Sequence, residues 1–306
     1  MILCSGEALI DMLPRETVDG EKCFAPHAGG AVFNTAIALA RLGAPTGFFS
    51  GISTDLFGAI LEDKLTAAGV DSSFAARSDR PTTLAFVTLT GGHAKYAFYD
   101  ENTAGRMIST SDLPTLPDST TAAFFGGISL AVEPCAEVYE ALMTREAKSL
   151  VTMIDPNVRD TFIKDEKSYR ARINRMMGMA DIIKVSDEDL AWLAGHDSTD
   201  KAAADLLKKS TGLVCVTQGA DGVSGYTKDG HVVVEARRVQ VVDTVGAGDT
   251  FNAGVLASLY DARALTKARI TKLDEDMVID ALTLGVRAAA VTVSRAGANP
   301  PRRDEL

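Results

Sequence analysis

Cysteine and histidine are both scarce in this chain. The four cysteines, Cys4, Cys23, Cys135 and Cys215, lie far apart in the 306 residues, and Cys4, Cys135 and Cys215 sit in apolar contexts. No metal-ligand spacing occurs among them, which argues for buried, reduced thiols in a cytosolic protein. The four histidines, His27, His93, His196 and His231, are scattered. They form neither a metal cluster nor a triad, so zinc chemistry and acyl transfer find no support. No apolar run spans a membrane, and the N-terminus lacks a charged n-region and a cleavage site, so the cytoplasm is the expected location. Basic charge is in deficit: 31 Lys and Arg against 41 Asp and Glu leave a formal net charge of −10. That balance disfavours a nucleic-acid or polyanion surface. A nucleotide site would have to use local positive charge, backbone amides or a metal. Internal repeats, low-complexity tracts and Pro/Ser linkers are also missing, and no Walker A sequence is present.

The chain does have apolar residues in quantity, at 46%, enough for a substantial core. They fall in short β-like runs (1–4, 46–50, 122–127, 150–154, 181–185, 213–217) that alternate with helical patterns. Helices are expected at 31–42, 56–68, from Pro134, at 166–177, from Ser186, near 248–260 and at 276–290, with Gly43 and Gly69 as stops. This alternation predicts an α/β fold: a mainly parallel central sheet with helices on both faces, its ligands at the C-terminal strand ends. Two stretches break the pattern and read as antiparallel hairpins. The second contains a run from Leu84, a Gly91-Gly92 turn and Lys95-Tyr96-Ala97-Phe98-Tyr99. Together, residues of about 12–28 and 82–104 are expected to form a small antiparallel β lid on a single domain covering 1–306.

The densest signal is Asp243-Thr-Val-Gly246-Ala247-Gly248-Asp249. It follows a β-like run at 237–242 and opens a helix rich in small and apolar residues. Strand, glycine turn and helix N-terminus bring free backbone N–H groups around one point, where they can hold an anion. Position 251 is Phe, so a dinucleotide fingerprint is incomplete. Asp249 lies in the first helical turn, where the helix terminus stabilises a carboxylate by about 0.3–1 kcal/mol, so it is expected to be ionised at neutral pH. An anion cradle beside a potential base suits phosphoryl transfer to a hydroxyl.

The run Asp243 to Gly254, with Asn252 inside it, resembles the C-terminal signature of the PfkB/ribokinase family of sugar kinases. Gly29-Gly30-Ala31-Val32-Phe33-Asn34 through Gly43 resembles the N-terminal one, about 200 residues earlier. The resemblance covers essentially the whole chain and implies a ribokinase-like fold. It implies that Asp249 is the general base and that Gly246, Ala247 and Gly248 form the anion hole. It also implies that Asp11, at the end of a βα-like segment from Gly6, binds sugar hydroxyls with Gly30 and Asn34, while Gly29 lets the chain pass close to the ligand. Glu133 matches a position near the sugar, Arg159 is implied to meet a sugar oxygen or a phosphate, and Tyr99 and Asn102 are implied to line the lid side, where the aromatics equally read as the small lid core. For Glu133 a helix-start acid, and for Arg159 a structural ion pair, are rival readings. On the nucleotide side, Lys184, Ser186, Thr217, Gly219, Gly222, Gly248 and Asn252 are implied. The stretch Ser186-Asp187-Glu188-Asp189 departs from the family's N-x-x-E and reads equally as a capping box. Asp243 with Thr292, Arg295 and Gly297 resembles a monovalent-cation site, of K⁺ in particular.

The implied reaction is ATP-dependent, Mg²⁺-assisted phosphorylation of a primary sugar hydroxyl, D-fructose to fructose 6-phosphate foremost. A 2-keto-3-deoxygluconate kinase is the alternative. That acidic substrate should want a lid-side cation; Asp100 stands where many relatives carry Arg, while Arg106 is a cation close by. A non-catalytic sugar-binding regulator is a further alternative. The expected partners are the sugar and ATP; a homodimer is left open.

Overall fold

The computed structural model describes residues 1–90, 93–194, 198–209 and 212–306. The expected turn at Gly91–Gly92 and His196 lie outside the described residues. In chain order the first strands are β1 (Ile2–Ser5), β2 (Leu9–Glu16), β3 (Lys22–Gly29), β4 (Thr46–Phe49), β5 (Gly51–Ser53), β6 (Ala76–Ser78), β7 (Leu84–Thr90) and β8 (His93–Tyr99). They continue with β9 (Ala122–Gly126), β10 (Val151–Asp155), β11 (Ile182–Ser186), β12 (Leu213–Thr217), β13 (Val223–Thr227) and β14 (Gly230–Val234). The helices are α1 (Ala31–Arg41), α2 (Leu56–Ala68), α3 (Cys135–Glu146), α4 (Glu166–Met179), α5 (Asp187–Ala194), α6 (Thr199–Leu207), α7 (Ala247–Asp261), α8 (Lys267–Ile270) and α9 (Glu275–Val293).

The main sheet runs in the order β14-β13-β12-β11-β10-β9-β1-β4. Pairing is parallel from β4 to β12 and antiparallel at the β12–β13–β14 edge. That antiparallel edge was not anticipated. Alternate strand residues face opposite layers, as the two-residue period requires. Ile2, Cys4, Phe48 and Phe124 pack on one side with α1, α7 and α9. Leu3, Phe49, Phe125 and Ile154 pack on the other with α3 and α4. Both faces are covered, which is why these strands read as continuous apolar runs rather than as alternating ones.

The small sheet has the order β3-β2-β7-β8. Each hairpin is antiparallel, but β2 and β7 join in parallel register, Asp11 opposite Ala85. Asp11 therefore lies inside a strand of the small sheet, not at the end of a βα-like segment. Residues 237–242, read as a strand, carry no regular structure, and Val239, Val241 and Val242 are exposed. Their β-branched side chains suit a strand, but this exposed stretch has no ladder partner, and β propensity reflects packing on a sheet. Among the described residues, no helix is long and apolar enough to cross a membrane.

Candidate active site

The site is built around the N-terminus of α7. Gly246 is its N-cap, with a left-handed φ of 78°, and a Cβ there would come within 2.8 Å of the Ala298 side chain. Only glycine meets both demands. A Cβ on Gly248 would lie 3.2 Å from Lys184 Nζ, so backbone and ammonium approach closely where an anion would sit. The first-turn amides of a helix have no intrahelical acceptor and are free for that anion. Ala247 is a partial exception: its N–H donates to the Thr244 carbonyl over a long 3.3 Å.

Asp249 is buried at 8% exposure. Asn34 Nδ2 donates to its Oδ2 over 2.9 Å, and the Thr35 hydroxyl donates to its carbonyl over 3.2 Å. The two glycine-rich signatures thus meet in these two hydrogen bonds. Helical spacing explains why Asn34 is available: Val32, Phe33, Ala36 and Ile37 form the buried side of α1 and leave Asn34 half-buried off it. Burial pushes the Asp249 carboxyl up to about 7; the Asn34 bond and Lys184 pull it down, and Asp155 and Glu7 push it up. This corrects the expectation of full ionisation at neutral pH, because desolvation outweighs the helix terminus. A carboxylate poised near 7 is better matched to general-base work than an ordinary one.

Asp11 lies across from His27 in the β2–β3 pair. Burial lifts its carboxyl to about 6. A Cβ on Gly29 would fall 2.3 Å from Asp11 Oδ2, so Gly29 makes room for that carboxylate. Gly30 caps α1 at φ 109°, with the Glu7 carbonyl only 2.8 Å from where a Cβ would be.

Glu7 itself was not singled out from sequence. Its buried carboxylate accepts from Ala31 N (2.9 Å) and Ser129 N (3.2 Å), tying the β1–β2 loop to the start of α1 and to the turn after β9. Its one visible signal was position, two residues after the first strand and beside a glycine.

A second buried group lies beneath the anion cradle. Asp155 Oδ2, at the end of β10, accepts from Lys184 Nζ (3.0 Å) and from Asn252 Nδ2 (2.7 Å). Burial alone would lower the Lys184 ammonium; Asp155 overrides it and holds the group above its ordinary value. Asn252, at 1% exposure, is committed to Asp155 rather than open to a nucleotide.

The other predicted residues are distributed as follows. Ser186 Oγ accepts from Asp189 N (3.0 Å), the helix-capping role, and Asp189 accepts from Val158 N (3.1 Å). The Thr217 hydroxyl reaches the Val185 carbonyl at 3.4 Å. Gly219 opens a short turn at φ 56°. Gly222 (φ 102°) faces the Val234 carbonyl, 2.2 Å from a would-be Cβ, so packing against β14 already requires a glycine there. The Asp243 carboxylate accepts from Val245 N (3.0 Å) and Gly297 N (2.9 Å). The Thr292 hydroxyl bonds Thr250 and the Arg295 side chain pairs with Glu305.

Tyr99 lines a cavity of about 570 Å³ between the small sheet and the body, with Tyr96, Phe98 and Phe162. Phe98 meets Phe162 edge-on at 4.3 Å, linking the two parts. Asn102 instead takes a hydrogen bond from Arg80, and the Glu133 carboxylate pairs with Arg172. Arg159 donates to the adjacent Val158 carbonyl (2.9 Å) and is exposed.

A doubly covered α/β sheet, a small β-sheet beside it and a carboxylate at a glycine-capped helix start define a phosphotransferase that acts on hydroxyl groups. The pfkB family carbohydrate kinase model matches residues 1–305, and the chain belongs to that family. It is 59% identical over 275 residues to a fructokinase of Rhizobium leguminosarum bv. trifolii, covering 90% of this chain and 84% of that one. Two solved structures superpose closely. A fructokinase from Xylella fastidiosa with bound ATP matches with TM-score 0.88 at 30% identity, covering 97% of this chain and 93% of that one. A fructokinase from Vibrio cholerae O395 in fructose, ADP and calcium ion bound form matches with TM-score 0.83 at 25% identity, covering 97% and 94%.

Proposed function

We propose that this chain transfers the γ-phosphoryl group of ATP to the primary hydroxyl of D-fructose, giving ADP and fructose 6-phosphate. The observation that carries the reading is the Asn34–Asp249 hydrogen bond, which joins the helix of the sugar-side signature to the base at the phosphate-side helix. The 59% identity to a protein named as a fructokinase supports the choice of sugar. Asp11, Gly30 and Asn34 hold the acceptor. Asp249 takes the proton from the attacking hydroxyl. The amides of Gly246 and Gly248, with Lys184 beneath, receive the phosphoryl group.

Among the described residues no group of three or more His, Cys, Asp or Glu side chains converges on one point. This donor set fits an Mg²⁺ ion that would be carried mainly by phosphates and water. When bound, the ion neutralises charge on the phosphates. K⁺ would use carbonyls of Asp243 and the 292–297 loop. The chain works as one kinase domain in the cytoplasm, with β2, β3, β7 and β8 as a lid that excludes water.

A coupled assay of ADP release with and without fructose tests the reading. Sugar-independent or absent turnover at millimolar fructose, with sugar binding intact, would favour a regulator of the same fold.

A further inference from the structure

The cation that an acidic sugar would seek is present beneath the lid, but it is already engaged. Arg106 lines the lid cavity together with Asp100, Glu101 and Lys164. Arg106 Nη1 pairs with Asp100 Oδ2 at 3.2 Å, and its Nε donates to the Glu133 carbonyl over 2.8 Å. The two paired side chains are only 18% and 17% exposed, so solvent weakens the pair little. A short turn holds Asp100 in place: its carbonyl accepts from the Thr103 hydroxyl over 3.0 Å. The remaining charges, Glu101 and Lys164, are both exposed. A carboxylate entering here meets a guanidinium already engaged through its Nε and Nη1 and a carboxylate that repels it.

We propose that Asp100 determines specificity in this kinase by neutralising Arg106 and so excluding carboxylate-bearing sugars. The inference rests on the sugar-kinase reading above. It treats rejection as an introduced repulsive element rather than as a missing attractive one. Freed from Asp100, the Arg106 fork would have the geometry to receive a sugar carboxylate.

The test compares kcat/KM for 2-keto-3-deoxygluconate and D-fructose in the unaltered chain, in Asp100→Asn and in Asp100→Asn/Arg106→Gln. The acid-to-fructose ratio should rise about ten- to a hundredfold in Asp100→Asn, the worth of one charge-assisted hydrogen bond. The gain should appear mainly in the KM of the acid, and Arg106→Gln should remove it. An unchanged ratio, or a gain that survives Arg106→Gln, overturns the proposal. If Asp100→Asn does not fold, Arg106→Gln alone decides. Its ratio should stay near that of the unaltered chain, whereas a tenfold fall would mean that Arg106 already reads the acid. Failure of the unaltered chain to phosphorylate fructose would count against the kinase reading instead. Calorimetric binding of gluconate to the same variants would then test the Asp100 role, with the same gain and reversal expected.

Discussion

Replacing Asn34 with alanine separates two roles that one residue combines. The Asn34 amide donates to Asp249 Oδ2 over 2.9 Å, and the carboxyl is lifted to about 7 in spite of that bond. A hydrogen bond to an ionised group is worth about 1.5–3 kcal/mol, and about 1.4 kcal/mol of differential interaction moves a pKa by one unit. Loss of the donor disfavours the charged form, so the shift is upward. Asn34 is half-buried, and water entering the space returns part of the interaction. The lower end, an upward shift of about one unit, is the expected size. A general base works when ionised, so kcat/KM should rise with pH along an acid limb near 7 in the unaltered chain and near 8 in Asn34→Ala. The assay is ADP release across a pH series at subsaturating fructose, where the profile reports the free enzyme. Asn34 is also a proposed sugar contact. A lost contact lowers the whole profile without moving its limb, so limb position isolates the effect on Asp249. A uniformly lowered profile with an unmoved limb would refute the reasoning.

Asp249→Asn should lower kcat by at least about 10²-fold while calorimetry still detects sugar binding. The same variant should be more stable than the parent at pH 8. The folded-state pKa of Asp249 lies above the ordinary carboxylate value, so its contribution is favourable below about pH 4 and is lost as pH rises through about 7. Asparagine removes that loss, worth up to about 4 kcal/mol, and the advantage should vanish in melts at pH 4; equal melting at pH 8 would contradict the burial argument. Ala31 N and Ser129 N bond separate oxygens of Glu7, so Glu7→Gln sets an amide NH₂ against one of the two donors, and urea unfolding should show a loss of about 1.5–3 kcal/mol. The sugar KM should rise more than kcat falls, and unchanged KM and stability together would remove Glu7 from the positioning role. Lys184→Met leaves Asp155 buried with one donor fewer and should cost about 3–5 kcal/mol. Adding Asp155→Asn should recover part of that loss; additive single effects in urea melts would show that the two do not act as a pair.

The parallel sheet was legible because its strands are buried on both faces and so form unbroken apolar runs between helical patterns. Both signatures were legible because glycines at 29, 30, 246 and 248 leave a local mark: Gly30 and Gly246 adopt positive φ, and Gly29 and Gly248 stand where a side chain would crowd Asp11 or Lys184. The 237–242 run misled for the opposite reason. Its β-branched residues carry the local mark of a strand, but no neighbouring strand pairs with them. Gly222 and Asn252 fit a nucleotide motif, yet each already serves packing or the Asp155 group. The Asp155–Lys184–Asn252 group was beyond local reading, because its members come from β10, β11 and α7 and converge only once the sheet is assembled.

The protonation of Asp249 shows the same limit most sharply. A helix N-terminus can be read from a motif and predicts a lowered pKa. Burial is a property of the packed whole, and here it is the larger effect and of opposite sign. The motif therefore names the base, while α1, arriving from more than two hundred residues away through Asn34, helps to set the pH at which that base is ionised. In the proposed reaction the acceptor helix thus does more than present sugar. Any sugar that draws the Asn34 amide towards its own hydroxyls weakens a bond that favours the carboxylate form. Sugar binding should then make Asp249 a stronger base when the hydroxyl to be deprotonated is in place.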